Sequence, residues 1–157
     1  MPLEGGGYPP IGDYGVIGDC RTAALVSRDG SIDWLCLPHF SGPAVFAALL
    51  DREKGGRFSV GPSASLVHVT REYTPGTNVL ETRMRTPTGE VGLTDCMPIL
   101  DGTGPSRSLS PQRELLRVVE GLSGEVELEV IFQPRPNFAR APVRLRRRGR
   151  NVWCDVL

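Results

Sequence analysis

Five carboxylates of this chain, Asp13, Asp19, Asp29, Asp33 and Asp95, stand in Gly-rich or strand-end segments. A pair of such groups brought together could divide general acid and general base work. Spacing along a β-rich chain does not say which of them meet. Asp beside Gly is also the ordinary composition of turns, because its short side chain hydrogen-bonds the local backbone; Asp29, in Arg28-Asp29-Gly30, reads as a turn residue. The histidines are His39 and His68, and no Ser or Cys stands in a GxSxG nucleophile elbow, so a nucleophilic triad has no support. His68, between Val67 and Val69, belongs to the solvent face of a strand. His39 lies in the loop Pro38 to Pro43 next to the Trp34 strand and is a candidate for contact with a ligand or an interface. Trp34, Phe40 and Phe46 could offer flat faces to sugar rings, but as core residues they need no such explanation, and burial in a core is the favoured reading.

Asp33, Trp34, Pro38, His39 and Phe40 are therefore the candidates for substrate binding or domain docking. No residue is assigned as catalytic or as a metal ligand. Cys20, Cys36, Cys96 and Cys154 show no CxxC spacing and no neighbouring His, which disfavours zinc and reads as free thiols. The Gly-rich run Ile11 to Gly18 lacks the preceding strand that a dinucleotide fingerprint requires, so no cofactor is expected. Arg144, Arg146, Arg147, Arg148 and Arg150 straddle an expected hairpin tip without interleaved aromatics; they read as a solvated loop or a docking surface, not as a nucleic-acid patch.

Charge points the same way. With 18 basic and 18 acidic residues, no net field recruits nucleic acid or an anionic membrane, and a small neutral ligand or a protein surface suits the chain better. No apolar run approaches the roughly 20 residues of a membrane span, and the start lacks the basic and apolar regions of a signal peptide. A cytoplasmic, reducing setting is expected.

The elements that must position these residues follow from local pattern. Residues 1–10 are Gly and Pro rich and form a loose arm; residues 11–157 form one domain, long enough to bury a core. Thr22 to Ser27 and Ser31 to Leu37 are strands joined by Asp29-Gly30, a strong hairpin signal because Gly accepts positive φ. Ile32, Trp34 and Cys36 alternate there with Asp33, Leu35 and Leu37. Pro43 to Leu50 predicts a short helix, with Pro in its first turn, Val45, Phe46, Leu49 and Leu50 on one side and Gly55-Gly56 at its end. Beyond Arg57 the period becomes two. Strands are expected at Phe58 to Val60, Leu66 to Thr70, Leu80 to Arg85, Val91 to Met97 and Glu114 to Glu120. A Gly121 to Gly124 turn then leads to Glu125 to Phe132, where Val126, Leu128, Val130 and Phe132 alternate with three Glu. A polar loop spans Asp101 to Gln112, and Val143 to Arg147 with Val152 to Val156 form a last hairpin. Many short strands with frequent turns predict an all-β antiparallel sandwich.

The runs IGDYGVIGDCRTAALVSRDGSIDWLCLPHF and PAVFAALLD, followed by TNVLETRM, VGLTDCMP, RVVEGLSGEVELEV and PRPNF, resemble the N-terminal domain of bacterial glycoside hydrolase family 15 proteins, the trehalase-like and glucoamylase-like enzymes. The resemblance covers Ile11 to about Arg140. It implies a β-supersandwich preceding an (α/α)6 barrel, of the same or a neighbouring chain, whose two Glu hydrolyse an α-glucosidic bond with inversion: one protonates the leaving oxygen and the other activates a water on the opposite sugar face. Neither Glu maps onto this chain, so the chain alone is expected to be inactive. The implied domain is longer than 157 residues, so an incomplete sandwich is expected. Where the family commonly reads PRFDSP, this chain reads Pro38-His39-Phe40-Ser41-Gly42-Pro43, which alters the polar contacts that the loop could make with a barrel or an α-glucoside. The expected role is to dock on such a barrel and shape its pocket mouth. Two alternatives stand beside it: a carbohydrate-binding module acting alone through Trp34 and Phe40, and a structural fragment pairing through open sheet edges.

Overall fold

The structure, a computed structural model, describes residues 8–99 and 113–156. Residues 1–7 of the expected arm and the loop expected at Asp101 to Gln112 lie outside the described residues. Among the described residues, twelve strands form two main sheets and a hairpin. The first sheet contains β1 (Gly15–Gly18), β2 (Ala23–Val26), β3 (Ser31–Cys36), β5 (Phe58–Pro62) and β10 (Leu128–Phe132) in that order, with β4 (Ala44–Phe46) on β3. The second contains β6 (His68–Tyr73), β7 (Leu80–Arg85), β8 (Gly89–Cys96) and β9 (Leu116–Gly124). β11 (Val143–Arg148) and β12 (Asn151–Val156) pair with each other, with Val143 opposite Val156, as the alternation of that segment predicts.

The expected all-β sandwich is the observed architecture. Ile17, Val26, Ile32 and Leu35 of the first sheet pack on Leu80 of the second and on Met97, and Val60 packs on Met84, Val91 and Leu93. In β7 the alternation read from sequence places Leu80, Thr82 and Met84 inside while Arg83 and Arg85 are exposed. The layers are also pinned by polar bonds: Tyr73 Oη accepts from Val16 N at 2.8 Å and donates to Val16 O at 2.9 Å. Arg71 Nη1 donates to Val26 O at 3.0 Å.

Two local expectations are corrected. The segment 43–50 is not a helix. Ala44–Phe46 is β4, antiparallel to β3 with Cys36 opposite Ala44 and Leu35 opposite Phe46, and a single turn follows in which Leu50 N and Asp51 N donate to Ala47 O. Eight residues are too few to repay helix nucleation. The edge of β3 instead offers a ladder that buries Ala44 and Phe46 and leaves Val45 half-buried. Nor is Gly121 to Gly124 a turn: β9 runs through it, pairing with β8 from Leu116 opposite Cys96 to Gly124 opposite Gly89. Gly tolerates a paired strand, and the neighbouring β8 supplies the ladder.

The apolar row of β10 also has an outcome that periodicity does not show. Val130 lies opposite Val60, yet Val130 is 62% exposed where Val60 is 6% exposed. β10 and β9 end their respective sheets, so the sandwich is open between them, and Val119 of β9 is also exposed there.

Candidate functional site

The geometry around the candidate residues starts from one irregularity. β2 pairs β3 through Leu25 opposite Trp34 and Val26 opposite Ile32, which leaves Asp33 as an extra residue. A bulge of this kind re-aims the side chains that follow it. Ile32 and Leu35 both enter the sandwich core, while Trp34 packs with Cys36, Ala44 and Ala47 in a separate cluster. The simple alternation expected for this strand is therefore broken at Asp33, the residue whose type attracted attention in the sequence.

Asp33 is buried, and each carboxylate oxygen accepts a hydroxyl: Oδ1 from Ser31 Oγ at 2.5 Å and Oδ2 from Tyr14 Oη at 2.8 Å. Burial, and then the bond to Asp33 and its charge, hold the Tyr14 phenol above its ordinary range, so it stays protonated and keeps donating. Leu49 N donates to Asp33 O at 3.0 Å, tying the 47–51 turn to the bulge. Beside Asp33 is a cavity of about 190 Å³ walled by Ser31, Arg52, Arg57, Ser59, Glu129 and their neighbours. Ser59 and Gly61 flank the core residue Val60 on β5, so by strand alternation this cavity lies on the face of the first sheet that points away from the sandwich core. The Arg57 Nε is buried and finds no acceptor on the protein.

Trp34, which follows Asp33 in the strand, meets Phe138, with ring centroids 6.2 Å apart. Phe138 is presented by the Pro136–Ala139 turn, in which Asn137, Phe138 and Ala139 have φ of 54°, 56° and 61°. Consecutive left-handed residues cost of order 1–2 kcal/mol each when they carry a Cβ. The strained turn brings Phe138 onto Trp34.

The Pro38–Pro43 loop is a separate feature. Its entry peptide, Leu37–Pro38, is cis. Phe40 N donates to Arg21 O of the β1–β2 turn at 2.9 Å, and Arg113 Nε donates to Pro38 O at 3.2 Å. His39 is exposed, its Nδ1 is 3.0 Å from Ser41 Oγ, and the Phe40 ring is 63% exposed. The structure thus brings Asp33 and Trp34 to one sheet face and sets Pro38, His39 and Phe40 on the β1–β2 turn, away from the residues that wall the cavity.

The carboxylates weighed for acid and base work are held by separate local partners. Asp19 Oδ1 accepts from Arg21 N and Thr22 N, each at 2.9 Å. Asp29 accepts from Ser27 Oγ, and Asp13 lies 3.6 Å from Arg28 Nη1. Asp95, fully buried, is gripped by Arg117 through Nε at 2.7 Å and Nη2 at 3.1 Å. All four cysteines are free; Cys36 is buried, and burial pushes its thiol up, making it a poor nucleophile. Among the described residues no group of three or more His, Cys, Asp or Glu is placed to hold a metal ion. No helix among them is long and apolar enough to cross a membrane.

Sequence reasoning missed Tyr14, Arg57, Glu129 and Phe138. Only the Pro134-Arg135-Pro136 break before Phe138 signalled that the chain turns there. The approach of Glu129 to Arg57 depends on Glu129 pairing with Gly61 across 68 residues of chain, a long-range register that local pattern does not carry.

Comparison with known proteins gives a consistent answer. The family described as Trehalase-like, N-terminal matches residues 2–154. A trehalase of Mycolicibacterium smegmatis is 37% identical over 143 residues, which are 85% of this chain and 21% of that protein. One of Thermoplasma volcanium is 40% identical over 137 residues, again 85% of this chain and 21% of the relative. One of Mycobacterium tuberculosis is 34% identical over 143 residues, with the same shares. This chain therefore spans about a fifth of the length of these curated relatives. No solved structure matches it.

Proposed function

We propose that this chain, which belongs to the trehalase-like N-terminal family, is the noncatalytic β-sandwich portion of an α-glucoside hydrolase of the family 15 type. It docks on an (α/α)6 catalytic barrel, of the same or a neighbouring chain, and shapes the mouth of the pocket in which an α-glucoside such as trehalose is cleaved. The observation that carries this reading is the match of almost the whole chain to the N-terminal family while it spans 21% of trehalases such as that of Mycolicibacterium smegmatis. The engagement of Asp13, Asp19, Asp29, Asp33 and Asp95 with their own local partners supports a noncatalytic role.

The docking surface is the Asp33 to Pro43 segment. Asp33 and Trp34 supply its rigid part, and Phe40, with His39 beside it, supplies an exposed aromatic anchor of the kind that dominates protein interfaces. Co-expression with the remainder of the Mycolicibacterium smegmatis relative tests this. Co-elution is expected, with Phe40→Ser weakening the complex about tenfold or more. A complex as tight with Phe40→Ser and with Trp34→Ala as with the unaltered chain would remove the segment from the interface. The alternative, a stand-alone sugar platform of Trp34 and Phe40, is less well supported, because Trp34 already packs against the tilted Phe138 ring.

A further inference from the structure

We propose that the cavity beside Asp33 is a binding site for one small, neutral, polyhydroxylated molecule of about monosaccharide size, held by Asp33, Glu129 and Arg57. This goes beyond the docking role: the site shares Asp33 with the docking segment, but Arg57 and Glu129 lie outside that segment, and every group involved belongs to this chain. At about 30 Å³ per water in the liquid, the 190 Å³ of the cavity is the space of about six waters. Its walls are unusual for a site on the face of a sheet. Ser31 and Asp33 are each 5% exposed, and around them stand Asp29, Glu129, Arg52 and Arg57.

Two features point to a ligand and to its class. The Arg57 Nε is a buried donor without a protein acceptor, and leaving such a donor unmet costs about 1–3 kcal/mol. Each Asp33 oxygen takes one hydroxyl, from Ser31 or Tyr14. A carboxylate oxygen offers about two acceptor positions, so each has one left for a further donor.

The occupant must accept from Arg57 and donate to Asp33 and Glu129 within one small space. A bare anion would satisfy Arg57 but face Asp29, Asp33 and Glu129. A bare cation would face Arg52 and Arg57. Hydroxyl groups on adjacent carbons do both, since each donates one hydrogen bond and accepts others, and they bring no charge into a site where unpaired charge is costly.

The test is a titration of the isotope-labelled 157-residue chain with glucose, inorganic phosphate and glycine in parallel, following backbone amide NMR shifts. Glucose at millimolar concentration should move the amides of Ser31, Asp33, Arg57 and Gly61. Arg57→Met should weaken that response about tenfold, the effect of about 1.4 kcal/mol, whereas Phe40→Ala should leave it unchanged. Glu129→Gln, on an exposed edge strand, should weaken it several-fold and carries the test if Arg57→Met does not fold. No response of these amides to glucose would overturn the proposal. So would a stronger response to phosphate or glycine, or a glucose response that moves to Trp34 and Phe40. None of these outcomes bears on docking, which is read from the complex and from Phe40→Ser.

Discussion

Arg117 is the side chain on which most of the sandwich converges. It is 4% exposed, pairs bidentately with Asp95, donates to Phe58 O and Gly30 O at 2.7 Å each, and lies over the Phe58 ring at 4.9 Å. It thus ties β9 and β8 to β5 and the β2–β3 turn. Removing one partner of such a pair strands a buried charge, which costs about 3–5 kcal/mol. Arg117→Met should lower the unfolding free energy by that order in urea, and adding Asp95→Leu should recover a large part, because the double change removes both charges. Tyr14 makes a second prediction at this scale. Its phenol is raised by burial and by Asp33, so the folded state holds the proton more tightly than the unfolded one. The stability it contributes is complete below the ordinary phenol value near ~10 and is lost as pH climbs from there toward the raised value. An absorbance titration should show a late tyrosinate step that Tyr14→Phe abolishes.

Among the elements, the β2–β3 hairpin was the most legible. Asp29-Gly30 between apolar runs specifies a turn, and Gly30 does adopt φ +81° with Val60 O where a Cβ would stand. Gly30→Ala should therefore destabilise by about 2 kcal/mol or more, seen as a lower melting temperature with an unchanged fold. The alternation of β7 was equally readable, since one wet and one dry face leave a strict period of two. What local pattern could not carry was competition for partners. A helical stripe at Val45, Phe46, Leu49 and Leu50 yielded to the free edge of β3, and a Gly-bounded run at Gly121 to Gly124 yielded to the edge of β8. At the candidate site, Asp33 and Trp34 were found from their types. The bulge that turns both toward the same face, and the Arg57 and Glu129 that join Asp33, depend on pairings between distant strands.

At the scale of the molecule, the sandwich closes well where β1, β2 and β7 meet and stays open between β9 and β10, where Val119 and Val130 are exposed. An open apolar seam of this kind binds hydrophobic dyes and invites strand addition. Val130→Lys should lower the fluorescence of a bound naphthalene sulfonate dye without lowering stability, since that side chain is already 62% exposed. The central claim, that this family member supplies shape and contact and not the hydrolytic groups, is tested most directly by incubating the chain alone with trehalose and with maltose and measuring released glucose. No release above the buffer rate is predicted. Turnover by the chain alone that is abolished by Asp33→Asn, or by changing any other of its own Asp residues, would contradict it.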